Sequence, residues 1–278
     1  AGEWRELFLK AGKPGWVMLH QVVDDKTAPT GNPDLGRWAE AGYGVLVRLV
    51  NASFDPKGRG AGSIPLPDGY SGFAQRCAEF VGRSPGCHTW FVGNEMNIAW
   101  HWPGGQPISP QDYAACFQQT AFAIKNVQPN ARVIPSGLNP QRQPRARHDD
   151  ALAWFRDMLA LVSELDGLDI HTYLPLKGES LRGEYYTFEE FLAQVPSRWR
   201  DVPVFVTEAS PTTPWPEPSD GWIERAYAGV NRWNCNPGRQ RIWALLPYRW
   251  QGTQPDGRAD IWNLAGKASY AADVENAL

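Results

Sequence analysis

The sequence has no uninterrupted apolar run of about 18 residues, the length a membrane-spanning helix needs, so no segment is expected to cross a bilayer. It also has little net charge. Lysine and arginine number 27 against 30 aspartates and glutamates, a formal charge of −3. That balance gives no long-range attraction to nucleic acid or to an acidic membrane surface, so neither is expected as a partner. Cysteine is scarce: Cys77, Cys87, Cys116 and Cys235 are all there is. None lies in a Cys-x-x-Cys pair, which disfavours zinc ribbons and thioredoxin-like redox motifs. Cys77 and Cys87 are the best local candidates for a disulfide, with free buried thiols as the alternative. Histidines number only five. A metal-dependent hydrolase would want His-x-His on an early strand and further His and Asp at later strand ends, and His20 has no such partner. Ser136 lies in Pro-Ser-Gly, so a Gly-x-Ser-x-Gly nucleophile elbow is absent. No glycine-rich phosphate fingerprint occurs. The reading is therefore of a protein with no metal and no cofactor.

What is present is a regular alternation of strands and amphipathic helices. The strand-like runs are Gly15–Val22, Gly44–Val50, His88–Gly93, Arg132–Gly137, Leu168–Tyr173, Val202–Glu208 and Arg241–Leu246. Helical patterns fall at Glu3–Ala11, Leu35–Ala41, Tyr70–Gly82, Ser109–Val127, Asp150–Leu165, Phe188–Val195 and Asp220–Asn234. Ser109-Pro110 opens its helix with a capping serine and a proline at the first helical position. Apolar strands separated by helices mean a mostly parallel sheet covered on both faces. With 278 residues and no linker or low-complexity tract, residues 1–278 read as one domain, an α/β (β/α)8 TIM-type barrel. Only seven strands are evident where a closed barrel has eight. The shortfall lies before Glu95, in an irregular strand within Asn51–Gly69 or one missing near the amino end, so a barrel reduced or modified in its amino-terminal part is expected. A single-domain monomer is the simplest assembly.

Two carboxylates stand at strand ends, Glu95 after HTWFVGN and Glu208 after VPVFVT. At the carboxyl face of a barrel such groups converge on a shared mouth even across 113 positions of sequence. Cleavage of a glycosidic bond needs this pair. One acid protonates the leaving oxygen, and one carboxylate attacks the anomeric carbon or activates water. Glu95 in the acid role must hold a proton near neutral pH. The 14 tryptophans fit the same picture, because indoles in loops such as those of Trp100, Trp102, Trp215 and Trp250 make platforms for sugar rings, though core packing accounts for most of them. His20 and Asn51 also end strands and are candidates for touching sugar hydroxyls.

Gly93-Asn94-Glu95-Met96-Asn97 resembles the Asn-Glu motif of clan A glycoside hydrolases, Thr207-Glu208 resembles that clan's late-strand nucleophile, and Asp169-Ile170-His171-Thr172-Tyr173 resembles its strand-six segment. The resemblance covers residues 40 to 250 and implies a retaining TIM-barrel glycosidase with Glu95 as acid/base and Glu208 as nucleophile. It implies that Asn94 binds the sugar 2-hydroxyl, that His171 and Tyr173 contribute to the site, and that one of them hydrogen-bonds Glu208. It places Trp250 as the aromatic floor under the sugar, with Tyr248 and Trp243 as competitors; Trp243, inside the strand, is expected to pack in the core or against a helix. Arg48 is a candidate for the clan's strand-two arginine. Met96 departs from the proline often found after the acid/base. The expected substrate is a β-linked glucan, mannan or xylan, cut by an endo-acting secreted or extracytoplasmic enzyme. The alternative is a non-catalytic carbohydrate-binding protein on a glycosidase-like barrel.

Overall fold

A computed structural model describes residues 7–278 except 14, 25–30, 33, 53–59, 61, 143–149, 174–184, 212–213 and 254–257. Among the described residues there are seven strands: β1 (Trp16–Val22), β2 (Gly44–Val50), β3 (Thr89–Val92), β4 (Arg132–Pro135), β5 (Leu168–Thr172), β6 (Val204–Ala209) and β7 (Ile242–Pro247). The helices are α1 (Asp34–Glu40), α2 (Tyr70–Gly82), α3 (Pro110–Val127), α4 (Ala151–Leu161), α5 (Phe188–Leu192), α6 (Trp222–Asn234) and α7 (Ala268–Ala277). Strands β1 to β4 pair in sequence order and all parallel, and β5 to β7 do the same. Strand β4 lies beside β5 and β7 beside β1, so the strands go round in a ring with two seams. The result is a reduced α/β barrel. Residues 7–10 are helical, as the pattern over Glu3–Ala11 predicts for its described part. Of the stretch Asn51–Gly69, residues 53–59 and 61 lie outside the described set, and the described remainder forms no strand.

Two apolar layers hold the ring. Inside it, Leu46, Phe91, Ile134, Phe205 and Ala244 form a buried plug, flanked by Trp16, Met18 and Leu246. Outside it, the larger core fills the space between strands and helices, with Phe73, Trp90, Phe117 and Trp154 among its members. Both faces of the central strands are therefore covered, which is why β2 and β3 read as continuous apolar runs. Side chains alternate along a strand, so residues two further on from the plug also point inward. On β1 that series is Trp16, Met18, His20; on β2 it is Leu46, Arg48; on β7 it is Ala244, Leu246 and then Tyr248. The barrel interior thus changes from apolar at its amino-terminal end to polar at its carboxyl end, where the loops are.

Local signals mostly operate as read. Ser109 Oγ accepts from Asp112 N at 3.1 Å, and Asp112 Oδ2 accepts from Ser109 N, a capping box with Pro110 at the first position. Helix α4 stops at Leu161, four residues before the pattern suggests, because Val162 is extended (φ −74°, ψ 133°). All four cysteines are free thiols. Cys87 turns its Sγ toward the carbonyls of Val45 and Thr89 at 3.4 and 3.3 Å, and burial pushes its pKa up to about 12. Trp243 is not packed away as expected. It is 42% exposed, with its ring edge on Phe205 and the Arg132 guanidinium 5.1 Å from its centroid. No helix among the described residues is long and apolar enough to cross a membrane.

Phe205 is the centre of the plug, in edge contact with Trp16 and Phe91 at 5.7 and 5.6 Å between centroids. Phe205→Ala should cost about 3–5 kcal/mol, the cost of a cavity in a well-packed core. Urea denaturation checks this; a loss below about 1 kcal/mol, the level of an average substitution, would mean that the plug does not support the ring.

Candidate active site

The polar end of the barrel is organised around Arg48, which is buried on β2. Its Nη1 donates to Glu208 Oε1. Its Nη2 donates to Thr207 Oγ1 at 2.7 Å, lies 2.8 Å from His171 Nε2, and is 3.5 Å from Asp169 Oδ2. Burial opposes the cation, but Glu208, Asp169 and Glu95 outweigh it and raise the Arg48 pKa. Asp169 is itself fully engaged. Its Oδ1 accepts from Thr207 Oγ1 at 2.6 Å, and its Oδ2 accepts from Gly137 N at 2.8 Å and Ser136 Oγ at 3.3 Å.

Thr207 and Glu208 are neighbours, yet both meet Arg48. A regular strand would send them to opposite faces. The pairing of β5 with β6 explains the exception: Ile170 faces Val206, but His171 faces Glu208, so the register slips by one residue at Thr207. Such a bulge re-aims side chains.

Glu95 lies three residues beyond β3, not at its last position, and is the only non-glycine residue with positive φ (44°) among the described residues. That backbone conformation is costly for a residue with a side chain. It is held by a hydrogen bond from Glu95 N to Gly137 O at 3.0 Å. The carboxylate is then fully surrounded. Oε1 accepts from Asn139 Nδ2 at 3.2 Å and lies 3.1 Å from His171 Nδ1, while Oε2 is 3.5 Å from His101 Nε2. Asn139 is aligned by a reciprocal pair with Asn97 at 2.9 and 3.0 Å. Gly137 is required beneath His171, since a Cβ there would meet the ring at 2.4 Å.

His171 therefore bridges the two carboxylates. One oxygen of Glu95, one of Glu208 and a ring nitrogen of His171 all lie within 4.8 Å of one another. These atoms are of the kind that ligate metals, but the cation already in their midst is Arg48. Burial opposes a charged His171 ring, and Glu208 foremost, with Glu95 and Asp169, favours it; the sum raises its pKa. The Arg48 contact decides where the proton is. A guanidinium only donates, so Nε2 at 2.8 Å must accept, and Nδ1–H faces Glu95.

Burial pulls the Glu95 carboxyl up, but hydrogen bonds from His101 and His171 reverse this and hold it well below the usual carboxylate range. These contacts favour the carboxylate form, whereas the acid role expected from the sequence requires a proton.

The other expected residues are placed as follows. Asn94 is buried with Nδ2 3.3 Å from His101 Nε2, and its Oδ1 has no hydrogen-bond partner among the described residues. Tyr173 stands close enough to Glu95 and Glu208 for their charges, after burial, to raise its pKa. The position at Glu208 foreseen for Tyr173 or His171 is taken by Arg48, with His171 Nε2 3.7 Å away. His20 crowns the inward face of β1. The residue is exposed, and the neighbouring protein, with the charges of Arg48, His101 and Arg249 added to it, lowers its pKa. Asn51 is a brace, its Oδ1 accepting from Arg76 Nη2 at 3.1 Å, and Arg76 Nε in turn donates to Val23 O. Trp250 is half-buried against the outer core, and its carbonyl accepts from Leu264 N and Ala265 N. The aromatic residue just beyond β7 that feels Glu208 and Glu95 is Tyr248, whose pKa is raised by burial and then by these charges.

His101, Asn139, Asp169 and Thr207 were not among the residues singled out for function. Asp169 and Thr207 had a signal. Asp169 shares strand parity with His171, and Thr207 adjoins Glu208. His101 and Asn139 had none, since both come from loops whose path only the fold reveals.

No family model and no curated protein sequence matches the chain. Solved structures do. The chain is similar to the GH53 catalytic domain of Ignisphaera aggregans, with a TM-score of 0.62 at 15% identity over 98% of this chain and 87% of that one. It is similar to the endo-1,4-beta-mannanase of Rhizomucor miehei, with a TM-score of 0.60 at 13% identity over 99% and 87%. A GH39 beta-xylosidase from Caulobacter crescentus gives 0.55 at 17% identity over 100% and 67%. These neighbours are clan A glycoside hydrolases. The likeness is one of fold: this chain is an α/β barrel like theirs, in reduced form.

Because the folded Glu95 carboxyl titrates below its ordinary value, its stabilising contribution is complete above the unfolded pKa of about 4.3 and is lost as pH falls below that toward the folded value. Glu95→Gln should therefore flatten the fall in stability on acidification from about pH 4.5 downward. Thermal melts of both proteins at stepped pH test this, and parallel curves would mean that the imidazole clamp on Glu95 does not form.

Proposed function

We propose that this protein is a retaining glycoside hydrolase that cleaves β-linked poly- or oligosaccharides by double displacement. The observation that carries the proposal is the approach of Glu95 and Glu208 carboxylate oxygens to within 4.8 Å at the carboxyl end of the barrel. Carboxyl groups about 5–5.5 Å apart suit direct attack by one of them, whereas inversion needs a wider gap of about 6.5–9.5 Å to admit a water.

Arg48 divides the labour. Two carboxylates so close do not both remain ionised easily once water is displaced by a sugar. Arg48 fixes the negative charge on Glu208, so Glu95 is the group that takes up the shared proton when substrate covers the site. Glu208 then attacks the anomeric carbon as Glu95 protonates the departing oxygen. With Glu208 esterified, Glu95 is a carboxylate again, the state its two imidazoles favour, and it removes a proton from the water that releases the sugar. Asn94 Oδ1 is an open buried acceptor for a sugar hydroxyl; His20 and Tyr173 complete the polar wall, whereas Asn51, braced by Arg76, does not reach it. Tyr248 is the aromatic surface proposed beneath the ring, in place of Trp250, which packs against the outer core. An endo-acting, secreted enzyme working on a neutral glucan, mannan or xylan fits the long strand-end loops and the low net charge.

The test is product analysis on defined oligosaccharides with the anomeric form read by NMR; initial release of the α anomer would sink the retaining mechanism. Glu208→Ala should abolish turnover and be rescued by azide, giving an azide product of inverted configuration. Glu95→Ala should damage substrates with poor leaving groups far more than activated aryl glycosides, since only the former need the proton. Retention of more than about a tenth of activity by Glu208→Ala, a loss of under about 1.4 kcal/mol, would rule out the nucleophile assignment.

A further inference from the structure

The Arg48–Glu208 pair is a split fork. A guanidinium and a carboxylate left alone pair through two parallel hydrogen bonds. Here only Nη1 serves Glu208, and Nη2 is turned away to Thr207, His171 and Asp169. What turns it is Asp169. This carboxylate is buried at 2% exposure and sits beneath the site, held to the segment just after β4 by Gly137 N and Ser136 Oγ. Its Oδ1 accepts a hydrogen bond from the Thr207 hydroxyl at 2.6 Å, which leaves the Thr207 lone pairs facing Arg48. It also lies 3.5 Å from Nη2 and supplies a second negative charge for the same cation.

Building on the assignment of Glu208 as nucleophile, we propose that Asp169 is a positioning residue that keeps Glu208 reactive by drawing one arm of Arg48 away from it. The two halves of the reaction respond oppositely to this contact. In the first, a Glu208 oxygen bonds to the anomeric carbon as the glycosidic C–O bond breaks and the leaving oxygen takes the Glu95 proton. In the second, water attacks the same carbon, its proton goes to Glu95, and Glu208 departs as a carboxylate. A carboxylate gripped by both arms of Arg48 is a weaker nucleophile and a better leaving group. Loss of Asp169 should slow formation of the glycosyl-enzyme and leave its breakdown unchanged or faster. A residue that merely supports the fold would slow both.

The experiment uses the 2-deoxy-2-fluoro derivatives of 2,4-dinitrophenyl β-cellobioside, β-mannobioside and β-xylobioside. The wild type is first shown to carry the label on Glu208 by mass spectrometry. With the sugar that labels it, rates of labelling and of reactivation are compared for wild type and Asp169→Asn. Labelling should slow at least about tenfold, equivalent to about 1.4 kcal/mol of barrier, while reactivation holds or quickens. Equal slowing of both steps, or unchanged labelling, overturns the role of Asp169. An unlabelled Glu208 in the wild type would instead defeat the nucleophile assignment itself. Thr207→Val keeps the Asp169 charge but removes the acceptor that holds Nη2. It should show the same asymmetry more weakly, and it decides the matter if Asp169→Asn does not fold. Equal losses in both steps for Thr207→Val then count against the proposal.

Discussion

One buried cation governs the carboxyl end of this barrel. Arg48 rises from the apolar plug on the same strand face as Leu46, and a guanidinium placed there is sustained only by anions that satisfy it. Those anions come from the far side of the ring: Asp169 on β5 and Glu208 on β6. The cation thus draws together strands from both sheets, across seams where the regular ladder stops. Removing it would leave two carboxylates facing each other in a low-dielectric interior. Everything proposed for the site, from the direction of the shared proton to the neutrality of His171 Nε2, follows from where its two terminal nitrogens point.

The strand–helix order was legible in the sequence because it depends on periodicity; that Glu95 and Glu208 end strands was legible too, but a turn and a bulge aim them inward. Runs such as Gly44–Val50 can only be strands buried on both sides, and alternation puts Arg48 above Leu46 and His171 above Asp169. The bulge at Thr207 was not legible. No proline or glycine marks it, and it arises from pairing with a strand about 36 residues earlier. His101 and Asn139 were hidden for a related reason: they reach Glu95 from loops, where no period relates position to direction. The aromatic end of β7 was partly legible. Counting inward residues from Ala244 and Leu246 leads to Tyr248, a simpler reading than the one that led to Trp250. The shortage of strands was legible too, and seven remain the number among the described residues.

The two carboxylates are chemically alike but sit in different settings, and that difference is what would allow the distinct roles proposed for them. Glu208 emerges from a bulged strand and meets a permanent cation, whose charge does not vary with pH. Glu95 sits on a strained turn and meets two imidazoles and an amide, neutral or titratable groups that both donate and adjust. A fixed counter-ion suits a group that must stay ionised until it forms a bond. Adjustable partners suit a group that must gain a proton and lose it again within each turnover. The strain at Glu95 is consistent with this, since the left-handed backbone aims the carboxyl across the mouth toward Glu208 instead of down the barrel wall. Polar groups that could have been exchanged between the two positions are not, and the asymmetry is built from backbone geometry as much as from side-chain identity.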